Sequence, residues 1–212
     1  MTSNATHSAT ATPASTSAAF AAFPADDPRA LLGRAIAIGS TVITGARPEQ
    51  LDGPTPCSEF DVRDLLGHLV FVLRRIAAVG RGDSPFSVAA PTDVADDAWL
   101  DTWTEAAGAI PTAWADAARL EAMIEMPWAT LPGRVVVLTY VNEVTVHSWD
   151  LATATGQRPA WDDSVVATAL QVMRIGLPED HRGGEVPFSA PTTVAAGAPL
   201  VDQLAAWNGR RV

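Results

Sequence analysis

A long apolar segment, residues 134–155, most constrains what this chain can fold into. Its β-branched residues would permit a strand, but 22 residues far exceed the usual length of a strand, so we predict a helix that ends at Gly156. Within it, Glu143 and His147 are four residues apart and lie on one helical face, one turn from each other. A carboxylate buried alone on an apolar face is very costly. The pair therefore predicts a divalent metal ion with a third protein ligand elsewhere in the chain.

Composition excludes several classes of protein. The chain has 212 residues, of which 48% are apolar and 18% charged, and this suits one domain with a sizeable core. The net charge of −10 argues against nucleic acid and anionic membranes as partners, since both require clusters of Lys and Arg. The single cysteine, Cys57, leaves no internal disulfide and fits a reducing cytoplasm, and no apolar run is long enough to span a bilayer. We therefore expect a cytoplasmic protein that binds neither nucleic acid nor membrane.

The first 25 residues differ in composition from the rest. Eighteen of them are Ala, Ser or Thr, and none has a charged side chain. Because this stretch has no basic start and no uninterrupted apolar run, it does not fit a signal peptide. We expect residues 1–25 to be a disordered tail and residues 26–212 to form one metal-binding domain.

Capping signals and apolar periodicity predict the remaining elements. Helices are expected from Asp27-Pro28 to about Gly45, from Asp61 to Gly80 or Gly82, across 96–118 with a kink or break at Pro111, and from Asp163 to about Gly176. A short extended excursion is expected over residues 123–131, and a loop-rich tail follows the last of these helices. The predicted fold is all-α, a bundle of four or five helices with a small β-hairpin.

His68 is the candidate for the third ligand. It lies near or on the apolar stripe of the second helix, so a helix–helix contact would bring it to Glu143 and His147. Three protein ligands with a position left for water or substrate are typical of catalytic zinc sites. Spacing alone leaves the alternative open, because a histidine on an apolar face is usually a hydrogen-bonded core residue and a Glu–His pair at this spacing is often only a surface pair.

Three further residues invite a functional interpretation. Asp150, three residues beyond His147, can accept the other imidazole N–H and set its tautomer, or it can simply make the helix soluble. Arg75 is seven residues after His68 and can bind a substrate carboxylate, although a structural arginine with a buried stem is the more ordinary interpretation. Cys57 stands before the second helix, where a packed small residue is favoured over a nucleophile.

Two blocks of sequence resemble a known family. The first is Thr55-Pro56-Cys57 followed by Phe60-Asp61-Val62-Arg63-Asp64-Leu65 and His68-Leu69; the second runs from Glu143 through His147 and Trp149-Asp150-Leu151-Ala152 to Gly156. Both are similar to the N-terminal domain of mycothiol-dependent maleylpyruvate isomerases, in the DinB-like four-helix-bundle superfamily. The likeness extends from about Asp27 to Arg210. It implies a bundle in which His68, Glu143 and His147 hold a divalent metal.

The resemblance also implies a range of functions. The family includes thiol-dependent isomerases and transferases as well as proteins without an assigned activity. Since the sequence has no long C-terminal domain like that of the full isomerase, we expect a member of the shorter branch. The expected cofactor is zinc, with nickel or iron as alternatives, and mycothiol is the expected co-substrate for a small electrophilic substrate. The alternative is a non-catalytic module that binds a metal or a small ligand. A homodimer formed through an exposed helix face is also compatible with the sequence.

Overall fold

The computed structural model describes residues 27–182 and 188–212, so the predicted tail at 1–25 lies outside the described residues. The elements, in chain order, are α1 (Pro28–Gly45), α2 (Val62–Arg81), α3 (Trp99–Gly108), α4 (Ile110–Ala113), α5 (Ala118–Glu121), β1 (Met123–Met126), β2 (Ala129–Pro132), α6 (Gly133–Ala154), α7 (Asp163–Gly176) and α8 (Leu200–Trp207). Short 3₁₀ turns lie at Pro48–Gln50 and Glu179–His181. The predicted all-α bundle with a small β excursion is confirmed.

The helix boundaries follow the capping chemistry. The Asp27 carboxylate accepts a hydrogen bond from the backbone N–H of Arg29 at the start of α1, and the Asp61 carboxylate does the same for Asp64 at the start of α2. Helix α2 ends at Gly82, whose φ of 94° is the left-handed conformation that glycine adopts without strain. Pro111 lies in the first turn of α4 and not inside a longer helix, so the expected break separates α3 from α4.

The excursion at 123–131 is a two-stranded antiparallel hairpin. Met123 pairs with Pro132 and Met126 pairs with Ala129, so the chain turns over two residues and enters α6 directly. Helix α5, which precedes the hairpin, is too short to have a clear periodic signal and was not predicted.

Helix α6 is the centre of the bundle. Seventeen of its 22 residues are buried, so it is apolar around most of its circumference and packs against α1, α2, α7 and α8. It runs antiparallel to α2: the Arg119 guanidinium donates to the carbonyl of Val79 near the end of α2 at 2.7 Å, and the Arg119 carbonyl lies against Gly133 at the start of α6. Within the described part of the chain, no helix is long and apolar enough to cross a membrane.

Candidate metal centre

The structure brings the three predicted ligands together at the contact between α2 and α6. Nε2 of His68 lies 3.1 Å from Oε1 of Glu143, and Nε2 of His147 lies 3.6 Å from the same oxygen. The two imidazole rings have their centroids 4.6 Å apart. Each residue therefore presents a potential ligand atom within 4.8 Å of the other two. In the antiparallel packing of α2 and α6, His68 faces the Glu143–His147 pair directly.

The cluster is buried at one end and open at the other. The side chain of His147 is 8% exposed, whereas those of His68 and Glu143 are 22% and 32% exposed. The ring of Phe60 packs on His68 at 5.0 Å and approaches His147 at 6.4 Å. His147 therefore forms the floor of the cluster, and solvent reaches it from the side of His68 and Glu143.

A buried ion pair orients His147. Its Nδ1 lies 3.0 Å from Oδ2 of Asp150, and Asp150 is fully buried. The Arg210 guanidinium donates to both carboxylate oxygens of Asp150, through Nε at 3.2 Å and Nη2 at 2.8 Å. With Nδ1–H donating to Asp150, Nε2 of a neutral His147 keeps its lone pair toward Glu143, which is the arrangement common among metal-binding histidines. Complete burial of Asp150 is incompatible with a role in helix solubility.

Arg210 was not predicted as part of the site. It is 60 residues from Asp150 in sequence, and the fold brings it back by way of α8 and Gly209, whose φ is 83°. The buried side chains of Asn142 and Asn208 hydrogen-bond to each other and fix this return, with the amide of Asn208 3.1 Å from Oδ1 of Asn142. A tail of Pro, Gly and Ala gives no local signal for such a contact.

The charges of the cluster depend on one another. Burial opposes ionisation of Glu143, but the adjacent imidazoles of His147 and His68 outweigh it and hold the pKa of this carboxyl well below its ordinary value. Burial also favours the neutral form of His147, yet its hydrogen bond to Asp150 and the nearby carboxylate of Glu143 raise its pKa from 6.5 to about 9. Burial likewise raises the pKa of Asp150, and its bonds with His147 and Arg210 bring that pKa below its ordinary value. In the metal-free protein, His147 is therefore protonated at neutral pH between two carboxylates.

Cys57, His147 and Asp150 form a second close group of potential ligands. Both oxygens of Asp150 are already hydrogen-bonded to Arg210, and Oδ2 also contacts His147. Burial raises the pKa of the Cys57 thiol, so it is protonated at neutral pH. Asp150 is therefore already engaged with Arg210 and His147 in this group, whereas the His68–Glu143–His147 group has no such engaged carboxylate.

A cleft of about 780 Å³ opens beside His68. Aromatic rings of Phe60, Phe71 and Trp99 line it together with the charged side chains of Arg63 and Asp64. This combination of apolar walls and a few polar groups suits a small organic molecule. The cleft gives such a molecule access to the cluster from the His68 side.

The fold and the cluster define a helical-bundle protein with two histidines and one glutamate grouped as potential metal ligands. The chain belongs to the mycothiol maleylpyruvate isomerase N-terminal domain family, whose model matches residues 32–152. This confirms the family resemblance read from the two sequence blocks. The matched region contains His68, Glu143, His147 and Asp150, whereas Arg210 lies beyond it.

Two relatives come from Mycobacterium tuberculosis, one from strain CDC 1551 / Oshkosh and one from strain ATCC 25618 / H37Rv, and each carries the description "uncharacterized protein". Each is 33% identical to this chain over 175 residues, which cover 82% of the chain and 92% of the relative. The likeness to these relatives thus extends well beyond the family-matched region. No solved structure matches the chain.

Proposed function

We propose that this protein is a divalent-metal-dependent enzyme that uses a low-molecular-weight thiol of the mycothiol type to isomerise or transfer a group on a small electrophilic substrate. The observation that carries this proposal is the convergence of His68, Glu143 and His147 within 4.8 Å beside an accessible cleft. Membership of the mycothiol maleylpyruvate isomerase N-terminal domain family supports the choice of thiol.

The donor set fits a divalent metal. Two imidazole nitrogens and one carboxylate oxygen are a common ligand set of catalytic zinc, and such sites keep a further position for water or substrate. Nickel and iron accept the same donors, so zinc is the first choice and these two are the alternatives. The partial exposure of His68 and Glu143 leaves one side of the cluster open to a ligand.

The residues around the cluster have distinct tasks in this proposal. When bound, the metal would lower the pKa of a coordinated thiol or water and would act as a Lewis acid. Asp150 and Arg210 hold His147 with Nε2 directed at Glu143. Glu143 contributes one negative charge, which lowers the net charge of the centre. Phe60 covers the two imidazoles, and the cleft beside His68 holds the organic substrate.

The cellular setting follows from the same chemistry. A thiol co-substrate must be kept reduced, which favours the cytoplasm. The partners of the protein are therefore a small-molecule substrate and a small thiol, and neither nucleic acid nor membrane is required.

Elemental analysis of the purified, tag-free protein tests the metal. We expect about one equivalent of metal in the parent and in Glu105→Gln, an exposed glutamate on α3, and a loss of metal in His147→Ala and Glu143→Gln. Failure of the parent to bind metal, even after reconstitution at neutral pH, would refute the proposal.

A second experiment separates an enzyme from a structural or storage site, since the buried Asp150–Arg210 pair would also suit a purely structural metal. Cobalt-substituted protein is titrated with mycothiol and its absorption spectrum is followed. A new sulfur-to-cobalt charge-transfer band is expected from an open coordination position, and thiol consumption with a panel of electrophiles should then depend on His68. An unchanged spectrum would identify a closed site and favour the non-catalytic alternative.

A further inference from the structure

Gly67 is a glycine in the interior of α2 that packing does not require. A glycine in the middle of a helix is less stable than an alanine, because it loses more backbone freedom on folding. A Cβ added at Gly67 would meet only the buried Trp99 ring among the described residues outside its own helix, at an ordinary contact distance of 3.9 Å. At Gly80 of the same helix, by contrast, a Cβ would lie 2.6 Å from Nε1 of Trp114. Close packing therefore accounts for Gly80 but not for Gly67.

The missing side chain of Gly67 leaves space in the wall of the cleft beside His68. Asp64, Gly67, His68 and Phe71 all line this cleft, and their spacings of three and four residues place them on one face of α2. Trp99 and parts of residues 90–94 complete the lining. A side chain at position 67 would therefore project from α2 toward the Trp99 ring and narrow the cleft.

Conjugated rings form most of the apolar surface next to this space. The centroids of the Phe60 and His68 rings are 5.0 Å apart, and those of the His68 and Phe71 rings are 6.4 Å apart. Both distances lie within the range over which aromatic rings attract one another. Trp99 supplies a fourth ring on the far side of the space at Gly67. A planar ring can contact such surfaces over more of its area than a puckered or branched group can.

The charges around the cleft disfavour an anion. The described lining includes three carboxylates that form no ion pair with any described residue, namely Glu59, Asp64 and Asp93. Arg63 also lines the cleft, but its guanidinium is paired with the carboxylate of Asp96. Arg75 lies outside the lining, with its guanidinium carbon 4.2 Å from the centre of the Phe71 ring, and it can offset only one of the three carboxylates. The cleft therefore keeps a net negative charge.

We propose that the cleft beside His68 takes a flat aromatic ring without negative charge, and that Gly67 is the residue that admits this ring. The ring occupies the space that a side chain at position 67 would fill, and it contacts the aromatic walls of the cleft. Gly67 thus determines the size and shape of the ligand, and the surrounding carboxylates determine its charge. This inference rests on the proposed function, since it names an uncharged or cationic aromatic electrophile as the substrate class of the same site.

Three compounds of nearly equal shape probe the cleft: neutral 2-naphthamide, cationic 2-naphthamidinium and anionic 2-naphthoate. Titration calorimetry at pH 7 gives a Kd for each, first with metal-free protein, in which no metal can hold the carboxylate, and then with zinc-loaded protein. In the metal-free protein we expect the amide and the amidinium to bind, and the naphthoate to bind about threefold or more weakly than the amidinium. Decahydronaphthalene-2-carboxamide, the puckered analogue, should bind about two- to tenfold more weakly than 2-naphthamide.

Two substitutions at position 67 test the space itself. Gly67→Leu should weaken 2-naphthamide binding about tenfold or more, and Gly67→Ala about two- to fivefold, because each fills part of the cleft. Gly33→Leu is the matched control, since Gly33 is an exposed glycine of α1 where a Cβ meets no described atom within 4 Å, and it should bind like the parent. Gly67→Ala should melt about 1–4 °C above the parent, which separates lost binding from lost folding. Unchanged binding in both Gly67 variants, equal weakening in Gly33→Leu, or no naphthyl binding by the parent would overturn the inference.

The charge preference has its own variant. Glu59→Gln combined with Asp93→Asn removes two of the three carboxylates, and Asn suits the φ of 58° at position 93. In this variant the Kd values of the amidinium and the naphthoate should approach each other to within about twofold. Glu105→Gln, an exposed change on α3, should leave the preference as in the parent. Tighter binding of naphthoate than of amidinium by the metal-free parent would also overturn the inference.

Metal content separates this inference from the function proposed above. Zinc should remain near one equivalent in Gly67→Ala, because the three candidate ligands are unchanged. Normal zinc content together with naphthamide binding that ignores Gly67 refutes the aromatic cleft alone. Naphthamide binding that depends on Gly67 in a protein unable to hold zinc supports the cleft and refutes the metal-dependent enzyme.

Discussion

The ion pair between Asp150 and Arg210 is expected to stabilise both the fold and the candidate metal centre. Asp150 is fully buried, and the side chain of Arg210 is 13% exposed. Replacing Arg210 with Met keeps most of the side-chain volume but removes both hydrogen bonds to the carboxylate. Breaking a buried pair by removing one partner typically costs about 3–5 kcal/mol. Because His147 still contacts Asp150 at 3.0 Å, we expect the lower end, about 3 kcal/mol.

Urea denaturation of metal-free protein at pH 7 measures this cost directly. For a domain of this size, about 3 kcal/mol corresponds to a fall in melting temperature of roughly 6–12 °C. Arg211→Met changes the neighbouring, exposed arginine and should alter stability by less than about 0.5 kcal/mol. Zinc affinity should fall about 10- to 100-fold in Arg210→Met, since loss of the groups that orient a histidine ligand has effects of that size.

A double-mutant cycle with Asp150→Asn tests whether the effect comes from this pair. Asparagine at 150 carries no charge, so removing Arg210 from that background leaves no uncompensated carboxylate. The two substitutions together should therefore cost at least about 1 kcal/mol less than the sum of the single changes. Additive costs, or a loss below about 1 kcal/mol in Arg210→Met alone, would refute the assigned role of Arg210.

Three other predictions follow from the same structure. Glu143→Gln should retain the fold but bind zinc at least tenfold more weakly than Glu105→Gln, as measured by competition with a chromogenic chelator. The pKa of His147 is raised from 6.5 to about 9 in the metal-free protein, so the stability due to its protonation is present in full below pH 6.5 and is lost as the pH rises through 9. Urea denaturation should record a loss of about 2–3 kcal/mol over that interval in the metal-free parent and little of it in His147→Ala. Gly39→Ala should destabilise the protein by about 1–3 kcal/mol, because its new Cβ would lie 2.8 Å from the Trp103 ring. Gly33→Ala on the same helix meets no atom within 4 Å and should stabilise the protein by about 0.5–1 kcal/mol. Equal melting temperatures for the two glycine variants would contradict this packing.

The elements with strong local signals could be predicted from the sequence. Asp27 and Asp61 mark helix starts through their own side chains, and the length of segment 134–155 decides between helix and strand. Glu143 and His147 share a face because of their spacing in one helix. Identifying His68 as the third residue of the cluster required knowing which helices pack together. The apolar stripe of its helix and the family resemblance pointed to that contact. Helix α5 has only four residues, which is too few for a periodic signal.

The contacts that complete the centre come from residues far apart in sequence. Arg210 reaches Asp150 only after the chain has passed through α7 and α8, and the orienting Asn142–Asn208 pair joins residues 66 apart. No local pattern distinguishes Arg210 from Arg211, yet one is largely buried and the other exposed. Their difference arises from the turn at Gly209, whose left-handed backbone directs Arg210 toward Asp150.

Arg75 and Tyr140 illustrate the same limit from the opposite direction. The spacing of Arg75 from His68 favours a structural arginine over a substrate ligand, and Tyr140 has the pattern of an ordinary apolar residue of a buried helix. What separates them from ordinary core residues is the absence of any acceptor for their donors among the described residues, and this can be seen only once the helices are packed.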